Sequence, residues 1–94
     1  MTKSQLIERL MESTSDLNKK ESELVVNTIF DSIGSALIGG DRVEIRGFGS
    51  FSIREREARQ ARNPKSGNLI NIPSKKTPFF KTGKELRERV DSLG

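Results

Sequence analysis

Arg62-Asn63-Pro64-Lys65-Ser66-Gly67 is the stretch on which the reading of this chain turns. Asn-Pro and Ser-Gly dipeptides mark a chain reversal, and the flanks, residues 51–61 and 68–76, can both be extended. Together they make a long two-stranded arm with a proline at its tip. Between positions 58 and 84 lie seven cations, Arg59, Arg62, Lys65, Lys75, Lys76, Lys81 and Lys84, and no acid. Such an arm suits a polyanion. A rigid proline adds what a plain cationic tail lacks, an apolar wedge that can enter a DNA base step from the minor groove. Taken alone, the same six residues also read as an ordinary solvated turn.

The reach of the arm follows from strand geometry. Ten residue steps from Ile53 to Asn63, at ~3.3 Å each, span about 33 Å. One turn of duplex DNA is roughly 34–36 Å. One arm can therefore follow a groove around the duplex, and two arms from a dimer can embrace it. A hairpin with no packed face is marginal by itself, so the arm is expected to be mobile until DNA orders it.

Working toward the N-terminus, Arg42-Val43-Glu44-Ile45-Arg46 alternates with period 2. Val43 and Ile45 point to one face, and Arg42, Glu44 and Arg46 to the other. Gly47-Phe48-Gly49-Ser50-Phe51 then turns the chain, and the next strand runs through Ser52-Ile53 into Arg54-Glu55-Arg56-Glu57. The return limb passes through Leu69-Ile70-Asn71-Ile72 and re-enters the body near Pro78-Phe79-Phe80. Ahead of the strands the period is 3.6. Thr2-x-x-Gln5 is a capping box before Leu6, Ile7, Leu10 and Met11, which predicts a helix to about Ser13. Asn18-x-x-Glu21 repeats the device before Leu24, Val25, Ile29, Phe30, Ile33, Ala36 and Leu37, and Gly39-Gly40 stops that helix. Thr82-x-x-Glu85 opens a short third helix carrying Leu86 and Val90. The order is α-α-β-β-β-α. The expected fold is α+β in one domain, residues 1–94: a helical base over 1–40, a three-stranded antiparallel sheet and β-arm over 41–81 with the arm at 54–76, and a C-terminal helix over 83–92.

Composition narrows the function. The chain has 94 residues, 32% of them hydrophobic, and a net charge of +4. With the arm projecting, roughly 70 residues remain to build a core, a size at which a single chain is marginal, so a partner chain is expected. No cysteine is present to staple the fold. No apolar run approaches ~18 residues and no signal-peptide pattern opens the chain, which points to an intracellular soluble protein. Residues 1–41 carry four cations against seven acids, whereas residues 42–94 carry thirteen against six. The basic half is the binding half. There is no His, Cys or Tyr, no acid cluster has metal-ligand spacing, and Gly47-x-Gly49 leads into a strand rather than a phosphate-binding helix. An enzyme is not expected, and no cofactor or metal is called for.

Ile45-Arg46-Gly47-Phe48-Gly49-Ser50-Phe51, the tip at 62–67, and Pro78-Phe79-Phe80-Lys81-Thr82-Gly83-Lys84-Glu85-Leu86 resemble the signatures of the bacterial HU and integration host factor family, over essentially the whole chain. The resemblance implies an intertwined dimer with two minor-groove arms, a proline wedged into a base step at each tip, and sharply bent DNA. It implies roles in recombination, transcription, translation and replication complexes and in nucleoid organisation, within the bacterial cytoplasm. Inside the family, Val43-Glu44-Ile45-Arg46-Gly47-Phe48-Gly49 is similar to the β subunit of integration host factor, where the Arg enters the minor groove and the Glu orients it. That implies an α subunit as the partner, with a homodimer as the other possibility. Ala61 and Ser66 differ from the usual Gly and Thr, and Arg54-Glu55-Arg56-Glu57 is more HU-like.

The DNA-contacting residues expected on these grounds are Lys3, Arg42, Glu44, Arg46, Arg54, Arg56, Arg59, Arg62, Asn63, Pro64, Lys65, Lys75, Lys76, Lys81, Lys84 and Arg87, with Pro64 intercalating. Plainer roles compete with some of them. Glu44 and Arg46 also read as a surface ion pair worth ~0–1 kcal/mol. Lys81, Lys84 and Arg87 also read as solvating the third helix, with Lys84–Glu88 and Arg87–Asp91 as i,i+4 pairs, although cations at a helix N-terminus suit phosphate. Phe30, Phe48, Phe51 and Phe79 are assigned to the core. The main alternative function is nonspecific coating or compaction of DNA or RNA in the manner of HU, and a weaker one is a protein-interaction module built on the helical base.

Overall fold

Both N-terminal helices begin where reciprocal side-chain caps satisfy amides that a helix leaves free in its first turn. In the computed structural model, which describes residues 1–93, Thr2 N–H donates to Gln5 Oε1 at 2.8 Å and Gln5 N–H donates to Thr2 Oγ1 at 3.2 Å, opening α1 (Lys3–Ser13). Asn18 N–H donates to Glu21 Oε1 at 3.1 Å and Glu21 N–H to Asn18 Oδ1 at 2.8 Å, opening α2 (Lys19–Ile38). α2 stops ahead of the glycine pair, and Gly40 N–H donates back to Leu37 O at 3.0 Å.

The chain forms two compact units, Met1–Ala36 and a second that begins at Leu37. In the first, Ile7 and Val26 are buried and Ser22 is fully enclosed, its hydroxyl without a hydrogen-bond partner. The rest of the apolar stripe is open. Leu24 is 68% exposed, Ile29 52% and Phe30 51%. Leu6, Leu10, Val25, Ile29 and Phe30 line one continuous groove.

The second unit holds β1 (Val43–Ile45), β2 (Gly49–Arg56), β3 (Arg59–Arg62), β4 (Leu69–Ile72), β5 (Lys75–Thr82) and α3 (Lys84–Asp91). β1, β2 and β5 form an antiparallel sheet in that order, and β3 pairs with β4 as a separate two-stranded ribbon. The fold class is α+β. Each limb of the expected arm is thus two strands, broken at Glu57-Ala58 on one side and at Pro73-Ser74 on the other.

Register decides which aromatics reach the apolar face. Phe51 lies opposite Phe80 and Ser52 opposite Phe79. Successive strand residues point to opposite faces, so Phe80 packs against Phe51 and Phe48, with ring centroids 4.8 and 5.4 Å away. Phe79 turns to the polar face, which corrects its assignment to the core. A Cβ on Gly49 would stand 2.6 Å from both Lys81 O and Phe80 Cζ, so only glycine lets β5 and the ring approach this closely. Phe48 and Phe80 remain 45% and 37% exposed, so this cluster too is only partly covered.

Two boundaries depart from the sequence reading. β1 is shorter than Arg42 to Arg46, because Ile45 pairs with Gly49 and Phe48 N–H closes a turn onto Ile45 O at 3.0 Å, leaving Arg46 in the turn. Thr82 does not cap α3. It is the last residue of β5, held opposite Gly49, and the N-cap falls to Gly83, which has no side-chain cap and donates its N–H to Phe48 O at 2.9 Å.

Candidate nucleic-acid interface

The arm's tip is a turn that its own polar groups build. Asn63 N–H donates to Asn68 O and Gly67 N–H to Asn63 O, both at 2.8 Å, which encloses residues 64–67. Asn63 Oδ1 accepts Lys65 N–H at 2.9 Å across Pro64, the Asx turn that an Asn before Pro favours. Ser66 Oγ accepts Asn68 N–H at 3.3 Å. Gly67 has φ +72°, a conformation that suits glycine and lets the chain re-enter β4. Pro64 stands exposed at the end, with no amide hydrogen of its own to satisfy. Arg62 Nη1 donates to Gly67 O at 2.9 Å, so this side chain braces the tip as well as charging it.

At the arm's root, alternation along β2 and β5 sorts the cations. Arg54, Arg56, Lys75 and Lys81 share one face with Ser50, Ser52, Thr77 and Phe79. The Arg54 guanidinium carbon sits 3.5 Å over the centre of the Phe79 ring, a cation–π contact worth about 0.5–1 kcal/mol at an exposed site. Sequence reasoning missed Phe79 as a platform. The signal was available, since two adjacent strand residues, Phe79 and Phe80, cannot both face the core. Lys76 lies on the opposite face, across from Glu55.

A shallow groove beside β1 gathers Arg42, Glu44, Arg46 and Lys81. Its ion pair is not the expected one. Arg42 Nη2 lies 2.8 Å from Glu44 Oε1 and 3.5 Å from Ser50 Oγ, while among the described residues Arg46 makes no ion pair. The reason is positional: Arg42 immediately precedes β1, two residues before Glu44, while Arg46 has entered the turn. Both partners are well exposed, so the pair contributes about 0–1 kcal/mol.

Arg59 lies on β3 opposite Ile72, and Lys65 at the tip. Lys84 and Arg87 are exposed on α3, where Lys84 Nζ stands 4.0 Å from Glu88 Oε1; no Arg87–Asp91 pair forms among the described residues. Lys3 is the first residue of α1, in the other compact unit. Among the described residues no group of acids is placed to hold a metal ion, and no helix is long and apolar enough to cross a membrane.

Residues 1–91 match the family described as bacterial DNA-binding protein. The chain is 54% identical over 92 residues to the integration host factor subunit beta of Laribacter hongkongensis, covering 98% of this chain and 93% of that protein. It is 52% identical over 93 residues to the corresponding subunit of Herminiimonas arsenicoxydans, covering 99% and 92%. Among solved structures, the HU chain of an Anabaena HU–DNA cocrystal superposes with a TM-score of 0.80 at 39% identity, covering 96% of this chain and 97% of that one. HU from Thermotoga maritima superposes at 0.64 with 32% identity, covering 96% and 98%.

Proposed function

This chain belongs to the bacterial DNA-binding protein family, that of the architectural proteins HU and integration host factor, and on that premise we propose that it bends duplex DNA as one half of a dimer. The observation that carries the reading is the arm: a braced turn holding Pro64 outward, at the end of limbs with no acid from position 58 to position 84. Each arm lies in the minor groove, with Arg54, Arg56, Arg59 and Lys75 along the backbone. Pro64 enters a base step and holds the kink. Lys81, Lys84 and Arg87, with Lys3 and Arg42, take phosphates of the flanking duplex.

Smooth bending of 20–30 base pairs costs on the order of 1–6 kcal/mol, and unstacking a step adds a few more. Phosphate contacts along the wrapped flanks offset that cost. The dimer assignment is supported by the open groove of the first unit and the half-exposed Phe48 and Phe80 of the second, which a partner would cover. That partner is an α subunit of the integration host factor kind or a second copy of this chain, and the setting is the nucleoid in the bacterial cytoplasm. No enzymatic activity is assigned.

The test is energy transfer between dyes at the two ends of a ~35 base-pair duplex, three turns of ~10.5 base pairs plus a margin. Pro64→Ala is expected to keep fold and dimer and most affinity for nicked DNA, and to lose bending of intact duplex. Ends brought as close by Pro64→Ala as by the wild type at saturation would refute the wedge.

A second reading, nonspecific compaction, is favoured by one contact, the Arg42–Glu44 pair that leaves Arg46 without its orienting carboxylate. If Arg46 nevertheless reads sequence, Arg46→Ala lowers binding to a preferred site by ~1–3 kcal/mol and random DNA much less. Equal losses on both favour compaction.

A further inference from the structure

The arm's two ribbons are out of step with each other, and Pro73 sits where the step changes. In an antiparallel ladder, facing residues alternate between narrow pairs, which exchange hydrogen bonds, and wide pairs, which do not. Near the root, Gly83 N–H donates to Phe48 O. Because Phe48 and Gly83 continue the register of β2 and β5, Ser50, Ser52, Arg54 and Arg56 are the narrow positions there. Pro78, opposite Ile53, falls on a wide pair and needs no amide hydrogen. Near the tip, Asn63 N–H donates to Asn68 O. Continued back along β3 and β4, this makes Ala61 with Ile70 and Arg59 with Ile72 the narrow pairs.

From Arg56 to Arg59 is three residues, where an unbroken ladder places narrow positions two or four apart. No residue is inserted, since two residues on each limb separate Arg56↔Lys75 from Arg59↔Ile72. The register runs through while the hydrogen-bond phase changes by one.

The root phase is locked by proline, since Pro78 cannot take a narrow position, and the tip phase is set by the turn, which closes on the Asn63 N–H to Asn68 O bond. The change must therefore fall between them. Pro73, opposite Ala58, occupies what would be the next narrow pair of the root ladder and has no hydrogen to donate to it. The root ladder ends there.

The position of the change sets the direction of one cation. For L-residues in a two-stranded ribbon, narrow positions of one limb all project their side chains to the same face. Arg59, narrow in its ribbon, thereby takes the face that Arg54 and Arg56 take in theirs, whereas simple alternation would turn it to the opposite one. We propose that Pro73 is a positioning residue, which pins the phase change beside Ala58 and so keeps Arg59 on the basic face of the arm. Without it the root ladder extends by one narrow pair, Ala58 with residue 73, and the change slips tipward past Arg59. The consequence for DNA rests on the proposed function; the ladder itself does not.

The experiment uses the full chain in its native dimer. Wide pairs bring Cα atoms to about 4.5 Å, against about 5.5 Å for narrow ones, so NMR contacts between facing Hα protons read the phase directly. The wild type is expected to show them for Glu55 with Lys76 and for Gln60 with Asn71. Pro73→Ala should lose the Gln60–Asn71 contact and gain one between Glu57 and Ser74, the wide pair that the extended root ladder encloses. Ala58→Pro added to Pro73→Ala blocks the same narrow pair from the other limb and should restore the wild-type pattern. On duplex DNA, Pro73→Ala should make the log–log salt slope shallower by about one per arm, with no further loss when Arg59 is already Ala. A Gln60–Asn71 contact that survives Pro73→Ala, or a second proline that fails to restore it, overturns the pinning. A loss of salt dependence that persists in the Arg59→Ala background overturns the positioning of Arg59. If the wild type binds no duplex DNA, the proposed function falls, and the NMR comparison still decides whether Pro73 pins the ladder.

Discussion

The helical unit and the arm's tip solve the problem of order in opposite ways. Met1–Ala36 has two amphipathic helices and buries only Ile7 and Val26 among its apolar side chains, with one enclosed hydroxyl unpaired. The tip has no core at all, yet residues 62–68 hold five hydrogen bonds among themselves. In the first case much of the apolar surface stays open, and under the proposed function a partner subunit would cover it. At the tip order is written locally, in Asn-Pro, Ser and Gly, and is independent of any partner. The proposed function would use both: a base whose open apolar surface a second chain covers, and a tip turn that its own hydrogen bonds shape around Pro64.

The largest expected effect is at the groove. Phe30→Ala removes a half-exposed ring that a partner would enclose, and it should destabilise the protein by about 3 kcal/mol or more, as for a buried aromatic rather than a surface one. Urea titrations at several protein concentrations give the measure, since the stability of an obligate dimer rises with concentration. A loss under 0.5 kcal/mol, or a wild-type midpoint that does not move with concentration, would mean that the helical unit stands without a partner.

How much of this was legible in the sequence follows the same division. The caps at Thr2 and Asn18, the ends of α1 and α2 and the turn at 62–67 were readable, because each depends on residues within a few positions. Thr82 misled because its backbone is claimed by Gly49, more than thirty positions away, before its side chain can cap anything. Phe79 was misassigned for a related reason: the register, not the composition, decides which of two neighbouring rings faces inward. The partner of Glu44 was missed because the candidates Arg42 and Arg46 are equally close in sequence, and only the turn closed by Phe48 removes Arg46 from the strand face.

Ser22 sharpens the contrast from the buried side. Its hydroxyl is enclosed without a partner, while its amide already donates to Asn18 O at 2.9 Å. Ser22→Ala deletes an unsatisfied polar atom and improves helix propensity, against the small void left by one oxygen. A gain of about 0.5–1 kcal/mol is expected in the same titration at fixed concentration. A loss of similar size would mean that the hydroxyl bonds a backbone carbonyl of its own helix, and that the helical unit is better satisfied than its open groove suggests.

The smallest effect on stability is expected where the hydrogen bonds are densest. Asn63→Ala deletes the carbonyl oxygen that accepts Lys65 N–H, but leaves the backbone bonds of Asn63 with Asn68 and Gly67 in place. Since the tip adds no apolar burial to the fold, the unfolding midpoint should shift by less than about 0.5 kcal/mol. The turn around Pro64 should nonetheless loosen, because the Asx bond is what holds the chain on either side of the proline. End-to-end energy transfer on intact duplex should then fall toward the Pro64→Ala value while dimer stability is unchanged. A variant that bends DNA as the wild type does would show that the two backbone bonds and the Arg62 brace alone shape the tip. One that unfolds early would tie the tip to the rest of the fold and remove the contrast with the helical unit.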